Sequence, residues 1–152
     1  MTVPTTVLIT SDHAGVREKA ELGAFLATLG YEVRDLGPHD TTSIDYPGQA
    51  HRLARDVVAS EGAAWGVLIC GSGIGMSIAA NRVPGARAAL CHNGYTARMA
   101  REHNDANILV VGARVLGNEM MKECVRVFAQ TSFTPGDDGR HARRVSAIEP
   151  DA

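Results

Sequence analysis

No single sign of charge dominates this chain. Lys and Arg total 15 against 17 Asp and Glu, a net charge of −2. A surface so balanced excludes a protein built to coat nucleic acid or an anionic membrane. Long hydrophobic runs are also missing, and none approaches the ~20 residues that a membrane span needs. The start, Met1 to Thr6, is polar and lacks a basic-then-apolar signal pattern, so the expected location is the cytoplasm. Cysteine is scarce: Cys70, Cys91 and Cys124 are odd in number and widely spaced, which fits neither a disulfide framework nor a zinc site. Low-complexity blocks and fixed-period repeats are absent as well. The 152 residues, 45% apolar and 21% charged, suit one globular domain over 1–152 with a core of its own. Sixteen glycines stand out, and their positions matter more than their number.

Short apolar runs alternate with segments of helical period, the pattern of repeated βα units on a parallel sheet. Val7-Leu8-Ile9 reads as the first strand. Leu22, Phe25, Leu26 and Leu29 recur at helical spacing, and Gly30 closes that helix. Tyr31 to Leu36 reads as the second strand, before a Gly37-Pro38 break. Ala50, Leu53, Ala54 and Val57 mark a helix, and Trp65 to Ile69 a fully apolar third strand. Ile74 to Asn81 reads as a helix stopped by Pro84. Arg87 to Leu90 makes a short strand and Tyr95 to Glu102 a helix. Ile108 to Val111 is the fifth strand, and Met121, Cys124, Val125 and Phe128 lie on the next helix. A Pro/Gly/Asp linker from Thr131 to Gly139 leads to a basic segment, Arg140 to Ile148, that packs on the body or on another chain. The expected fold is an α/β/α three-layer sandwich around a five-stranded parallel, Rossmann-like sheet. Ligands of such sheets collect beyond the carboxyl ends of the strands.

At that edge the first strand ends in Ser11-Asp12-His13-Ala14-Gly15, where a helix begins and its free amides face outward. Asp12 reads equally as the cap of that helix. The third strand ends in Cys70-Gly71-Ser72-Gly73-Ile74-Gly75-Met76. Its alternate glycines let the backbone turn tightly and bring several amides near a ligand oxygen. The spacing is neither the dinucleotide fingerprint nor a P-loop. Cys70 stands directly before this string, where amides favour negative charge on sulfur and can stabilise an oxyanion beside it. Cys91 and Cys124 read as inert core residues. Arg114 follows the fifth strand and suits a phosphate or carboxylate. Arg140 and Arg144, four apart in the only basic cluster, share one helix face and can grip one anion or stand in solvent. His103-Asn104-Asp105-Ala106-Asn107 precedes the fifth strand, at the opposite edge from Cys70. If His103 takes part in the chemistry, it must reach a neighbouring chain's site. Asp45-Tyr46-Pro47 is a turn with Pro at a helix start.

Taken together, these segments resemble the type B ribose-5-phosphate isomerase family, which also contains galactose-6-phosphate isomerase subunits. The likeness runs from about Val7 to Ile148, and Cys70 to Asn81 is its most specific part. It implies an aldose–ketose isomerase that needs neither metal nor cofactor and works through a cis-enediolate. Cys70 is then the general base. His103, from a partner subunit, helps open the furanose ring. Asp12 and His13 bind near the ring end, Tyr46 lines the pocket, and Asn104 meets substrate hydroxyls. The amides of Gly71, Gly73, Ile74 and Gly75 hold the enediolate oxygen with Ser72 assisting. Arg114, Arg140 and Arg144 take the phosphate. Some relatives carry a Glu in the loop as the base; here that position is Met76. A homodimer or dimer of dimers with shared sites is implied. The same motifs suit other phosphorylated sugars, such as a tetrulose 4-phosphate, allose 6-phosphate or galactose 6-phosphate. A flavodoxin-like module that binds a sugar phosphate or cofactor without catalysis is the alternative from another class.

Overall fold

The computed structural model describes residues 4–150. Met1 to Val3, part of the polar start, lie outside the described residues. In chain order the elements are β1 (Thr6–Ser11), a 3₁₀ turn (His13–Gly15), α1 (Val16–Thr28), β2 (Glu32–Asp35), α2 (Tyr46–Ala59) and β3 (Ala64–Cys70). Then come α3 (Ile74–Ala80), β4 (Ala88–Leu90), α4 (Gly94–Glu102), β5 (Ile108–Gly112), α5 (Asn118–Gln130) and α6 (Arg140–Ser146). The strands form one sheet of order β2-β1-β3-β5-β4, and each neighbouring pair is parallel.

Side chains alternate across each strand, so every central strand feeds two cores. Val7, Ile9, Val67, Ile69, Leu109 and Val111 face α1, α4 and α5, where Leu22, Leu26, Met121, Val125 and Phe128 complete the layer. Leu8, Leu68, Cys70, Ile108 and Val110 face α2 and α3, against Leu53, Val57, Met76 and Ala80. All seven residues of β3 are buried, because helices cover both faces of the middle of the sheet. This is the expected three-layer α/β/α sandwich. Among the described residues no helix is long and apolar enough to cross a membrane.

Several boundaries differ from the sequence reading by a residue or so, and two of them have a visible cause. The second strand is Glu32–Asp35, shorter than Tyr31 to Leu36. It lies at the edge of the sheet and pairs only with β1, so its ladder runs no further than Thr6 to Ile9 allows. Tyr31 turns instead toward Trp65, edge to face at 6.0 Å. The third helix ends at Ala80. There Asn81 caps it and ties it to β4, its amide Nδ2 donating to the carbonyls of Ser77 and Ala88 and its Oδ1 accepting from the Ala88 N–H.

The tail lies against its own chain. The Thr134 N–H donates to the Glu102 carbonyl at 2.9 Å, and the Glu149 carboxylate accepts from the Gly85 N–H at 2.7 Å. Between these anchors α6 is seated at the amino edge of the sheet, beside the end of α4.

Trp65, the single tryptophan, packs on Phe128 with ring centroids 5.2 Å apart and planes tilted by 35°, tying β3 to α5. Truncation at Phe128 removes this contact from a packed layer. Phe128→Ala is expected to lower stability by ~3–5 kcal/mol, read by denaturant unfolding with Trp65 fluorescence as the probe. A loss below ~1 kcal/mol would mean that the layer collapses onto the gap.

Candidate active site

At the carboxyl edge, β1 and β3 are joined where their ordered pairing ends: the Asp12 N–H donates to the Ile69 carbonyl at 3.1 Å. Asp12 caps the 3₁₀ turn, its Oδ1 accepting from the Ala14 N–H at 2.9 Å. The cap reading of Asp12 is therefore observed, and the residue is nearly buried while doing it. Next to it, His13 Nδ1 accepts the Ile44 N–H at 3.2 Å. That bond puts the proton of a neutral ring on Nε2, which leaves an N–H donor for a ligand.

The glycine segment crosses over the end of β5. Two backbone bonds tie it down: Ala113 N–H to the Cys70 carbonyl at 2.8 Å and Arg114 N–H to the Gly71 carbonyl at 2.9 Å. The crossing is so close that a Cβ on Gly112 would lie 2.5 Å from the Ser72 carbonyl oxygen. Gly73 turns the chain at φ +80°, a conformation that costs other residues about 1–2 kcal/mol. Its N–H thereby points back to Cys70 Sγ at 3.1 Å. An amide proton donated to sulfur offsets negative charge there. The Ser72 hydroxyl accepts from the Ile74 N–H at 3.2 Å. The Arg114 guanidinium lies over Gly71, where a Cβ would be 3.4 Å from Nη1. The Tyr46 ring covers Gly75, and a Cβ there would be 2.6 Å from Cζ.

The three thiols differ in surroundings. Burial, with Cys124 close by, pushes Cys91 up to about 12. Burial beside Glu123 lifts Cys124 to about 11. Both stay protonated at neutral pH and cannot serve as bases. Cys70 is only 5% exposed, but it alone sits under the glycine loop with an amide aimed at its sulfur.

The other candidates stand at the far edge. His103 follows the last turn of α4, its N–H bonded to the Met99 carbonyl. The loop after it is braced by Asp105, held at φ +47° with its carboxylate between Arg87 and Arg101, each at 3.1 Å. The ring of His141 on α6 stacks on His103, 4.2 Å between centroids and 11° from parallel. Asn104, Arg140 and Arg144 are exposed around this pair. Cys70 pairs with Gly112, and Gly66 with Ile108, so a full strand separates the two edges. Four residues of strand make roughly 13 Å before the loops are added. One chain therefore gathers Asp12, His13, Tyr46, Cys70, Gly71 to Gly75 and Arg114. His103, Asn104, Arg140 and Arg144 form a second, separate group.

Comparison with known proteins shows the family. The Ribose/Galactose Isomerase family model matches residues 7–148. This chain belongs to the ribose/galactose isomerase family. Ribose-5-phosphate isomerase B of Escherichia coli is 42% identical over 137 residues, 90% of this chain and 89% of that protein. The structure of ribose-5-phosphate isomerase B from Clostridium thermocellum superposes with a TM-score of 0.90 at 47% identity, covering 95% of each chain. That of Mycoplasma genitalium, solved with bound ribulose-5-phosphate, gives 0.90 at 36% identity over 95% of this chain and 94% of that one. The family membership makes the chain a sugar-phosphate isomerase with a Rossmann-like sheet.

Within that family frame, two features go beyond the sequence reading. By sequence His141 is only one of a basic cluster, yet it is 8% exposed and faces His103. The available signal is its spacing from Val145, four residues on, which places both on one side of a helix. Lys19, 1% exposed, is bound to the Asp35 carboxylate at 2.5 and 2.6 Å. It stands three residues before Leu22, on the apolar stripe, which is the clue. Asp35 also accepts the Gly37 N–H at 2.8 Å and so anchors the loop that carries Ile44 to His13. Met76 is fully buried in the core and takes no place in the loop. Among the described residues no three His, Cys, Asp or Glu side chains gather as a metal site.

Gly112→Ala tests the crossing. The new methyl group has to displace backbone rather than a flexible side chain. The fold is expected to survive with a lower melting temperature, while isomerase kcat falls ~10²-fold because the loop amides move off their target. Wild-type kcat in Gly112→Ala would show that loop placement does not limit the reaction.

Proposed function

We propose that this chain interconverts ribose 5-phosphate and ribulose 5-phosphate through a cis-enediolate, with Cys70 as general base. The observation that carries this reading is the Gly73 amide on the Cys70 sulfur, in a glycine loop whose Ile74 N–H is held by the Ser72 hydroxyl. Cys70 Sγ takes the proton from C2. The electron pair forms the C1–C2 double bond, and O1 becomes the enediolate oxygen held by the amides of Gly71 and Gly75, with those of Gly73 and Ile74 turning to it from the Cys70 sulfur and the Ser72 hydroxyl, and with Ser72 assisting. Return of the proton to C1, with the O2 hydroxyl proton passing to O1 as O2 becomes the carbonyl, gives the ketose. His13 Nε2 and Asp12 bind near the ring end, and Tyr46 closes the pocket wall over Gly75.

The phosphate and the closed ring call for the other group of residues. In this reading His103 and Asn104 come from a second copy, where His103 moves the proton that opens the furanose and Asn104 holds hydroxyls. Arg140 and Arg144 of that copy join Arg114 on the phosphate dianion. Exposed apolar side chains support such a partner. Ile74 and Ile78 on α3 are 54% and 62% exposed, and Tyr95 and Ile148 are 64% and 48% exposed. A two-fold pairing buries the same patch on both copies and builds two equivalent sites. In a dimer of dimers, each such pair would retain its own two sites.

Cys70→Ala and Cys70→Ser are expected to lose ~10²–10⁴ in kcat while sugar-phosphate binding survives. Near-normal turnover by either variant would remove Cys70 from its role. Mixing separately inactive Cys70→Ala and His103→Ala chains, after unfolding and refolding together, is expected to restore about a quarter of wild-type activity, the share of intact sites in a random two-fold mixture. A mixture as inactive as its parents would exclude shared sites. A panel of aldose and ketose phosphates, compared by kcat/KM, sets the five-carbon assignment against four- and six-carbon substrates.

A further inference from the structure

His141 takes no part in the proposed proton transfers. Yet its ring is 8% exposed and lies flat against His103, 4.2 Å away and 11° from parallel. The backbone holds it there: the His141 N–H donates to the Pro135 carbonyl at 2.9 Å. Gly136 makes room, since a Cβ on it would be 3.0 Å from His141 Cδ2. Glu102, the residue before His103, approaches its Nε2 at 3.9 Å. The Glu102 carbonyl in turn accepts the Thr134 N–H. His103 is thus gripped between its own helix end and a ring delivered by α6.

We propose that His141 is a positioning residue for His103: its ring is the platform that sets the plane of the His103 imidazole and joins the His103–Asn104 loop to the Arg140/Arg144 face of α6 as one body. The inference rests on the reading that His103 opens the sugar ring. Its chemical sense is that the group which opens the ring and the groups which hold the phosphate must keep a constant separation across one substrate. Misplacing a reacting group by ~1 Å can cost ~10² in rate. The charges agree with a neutral platform. Burial, the facing His103 and the flanking Arg140 and Arg144 hold His141 below the ordinary imidazole value of 6.5, with Asp138 acting the other way. Glu102 is the other carboxylate near the pair. A His141 that stays uncharged at neutral pH places no cation against the face of His103. As pH falls below the ordinary value, the folded state resists protonating His141 and loses stability relative to the unfolded chain, so the stack loosens on the acid side.

The test compares His141→Ala, which removes the platform, with His141→Phe, which keeps a flat ring without a charge. His141→Gln fills the volume without a ring, should the alanine variant not fold. The first measurement is the NMR signal of the His103 ring protons without substrate, shifted in the wild type by the stacked ring. Expected is loss of that shift in the Ala or Gln variant and its retention in Phe. The second is turnover on ribose 5-phosphate and on an aldose 4-phosphate of four carbons, which has no hydroxyl free to close a furanose. Expected for Ala or Gln is a ~10²-fold loss of kcat on ribose 5-phosphate, with kcat on the four-carbon sugar nearly unchanged and activity largely recovered in Phe. An unmoved His103 signal in folded His141→Ala or His141→Gln overturns the proposal. A moved signal with equal losses on both sugars supports the platform and overturns ring opening by His103. A rise in KM alone, with kcat on ribose 5-phosphate intact, overturns positioning and leaves His141 as a plain support of α6.

Discussion

A parallel sheet has two unlike edges, and that constraint shapes everything else in this molecule. β3 and β5 run side by side in the same direction, in register from Gly66 beside Ile108 to Cys70 beside Gly112. The loop that leaves β3 and the loop that enters β5 must then lie at opposite ends. The thiol and its glycine loop fall on the carboxyl edge, and His103 with its loop on the amino edge. No side-chain rotation spans a strand, so the chemistry legible in this chain is divided before any partner is considered.

Each edge is built by a different device. At the carboxyl edge, backbone does the positioning. Two bonds from the β5 end to the loop, and a Gly112 that admits the Ser72 carbonyl, fix the loop with the Gly73 amide aimed at Cys70. At the amino edge, side chains do it. Asp105 is clasped by two arginines, and a stacked imidazole comes from a helix about forty residues further along the chain. A backbone scaffold suits a site that must present N–H groups. A side-chain scaffold suits one that must hold a single ring at a set angle.

Much of the fold is legible because burial writes period into sequence. β3 reads as Ala-Trp-Gly-Val-Leu-Ile-Cys, apolar throughout, since helices cover both faces. Leu53, Ala54 and Val57 repeat at helical spacing because only one side of α2 meets the sheet. The length of β2 is misread for the opposite reason: an edge strand with exposed Glu32, Arg34 and Asp35 has little burial to record. At the site, the Cys70 loop is legible because alternate glycines have few other uses. Lys19 and His141 are not, because a charged or polar residue on an inward stripe has meaning only once its partner is known. That partner is Asp35, sixteen residues away, or His103, thirty-eight residues away.

By itself, the order of residues determined the layers, the parallel sheet, the cysteine that stands before the glycine loop and the edge each candidate occupies. These come from local period, from glycine's freedom and from strand direction, all of which are properties of neighbouring residues. Tertiary structure alone decided which way the Gly73 amide points, which nitrogen of His13 is free, and that His141 lies against His103. Those are distances and angles between segments far apart in the chain, and they exist only after the sheet has brought the segments together.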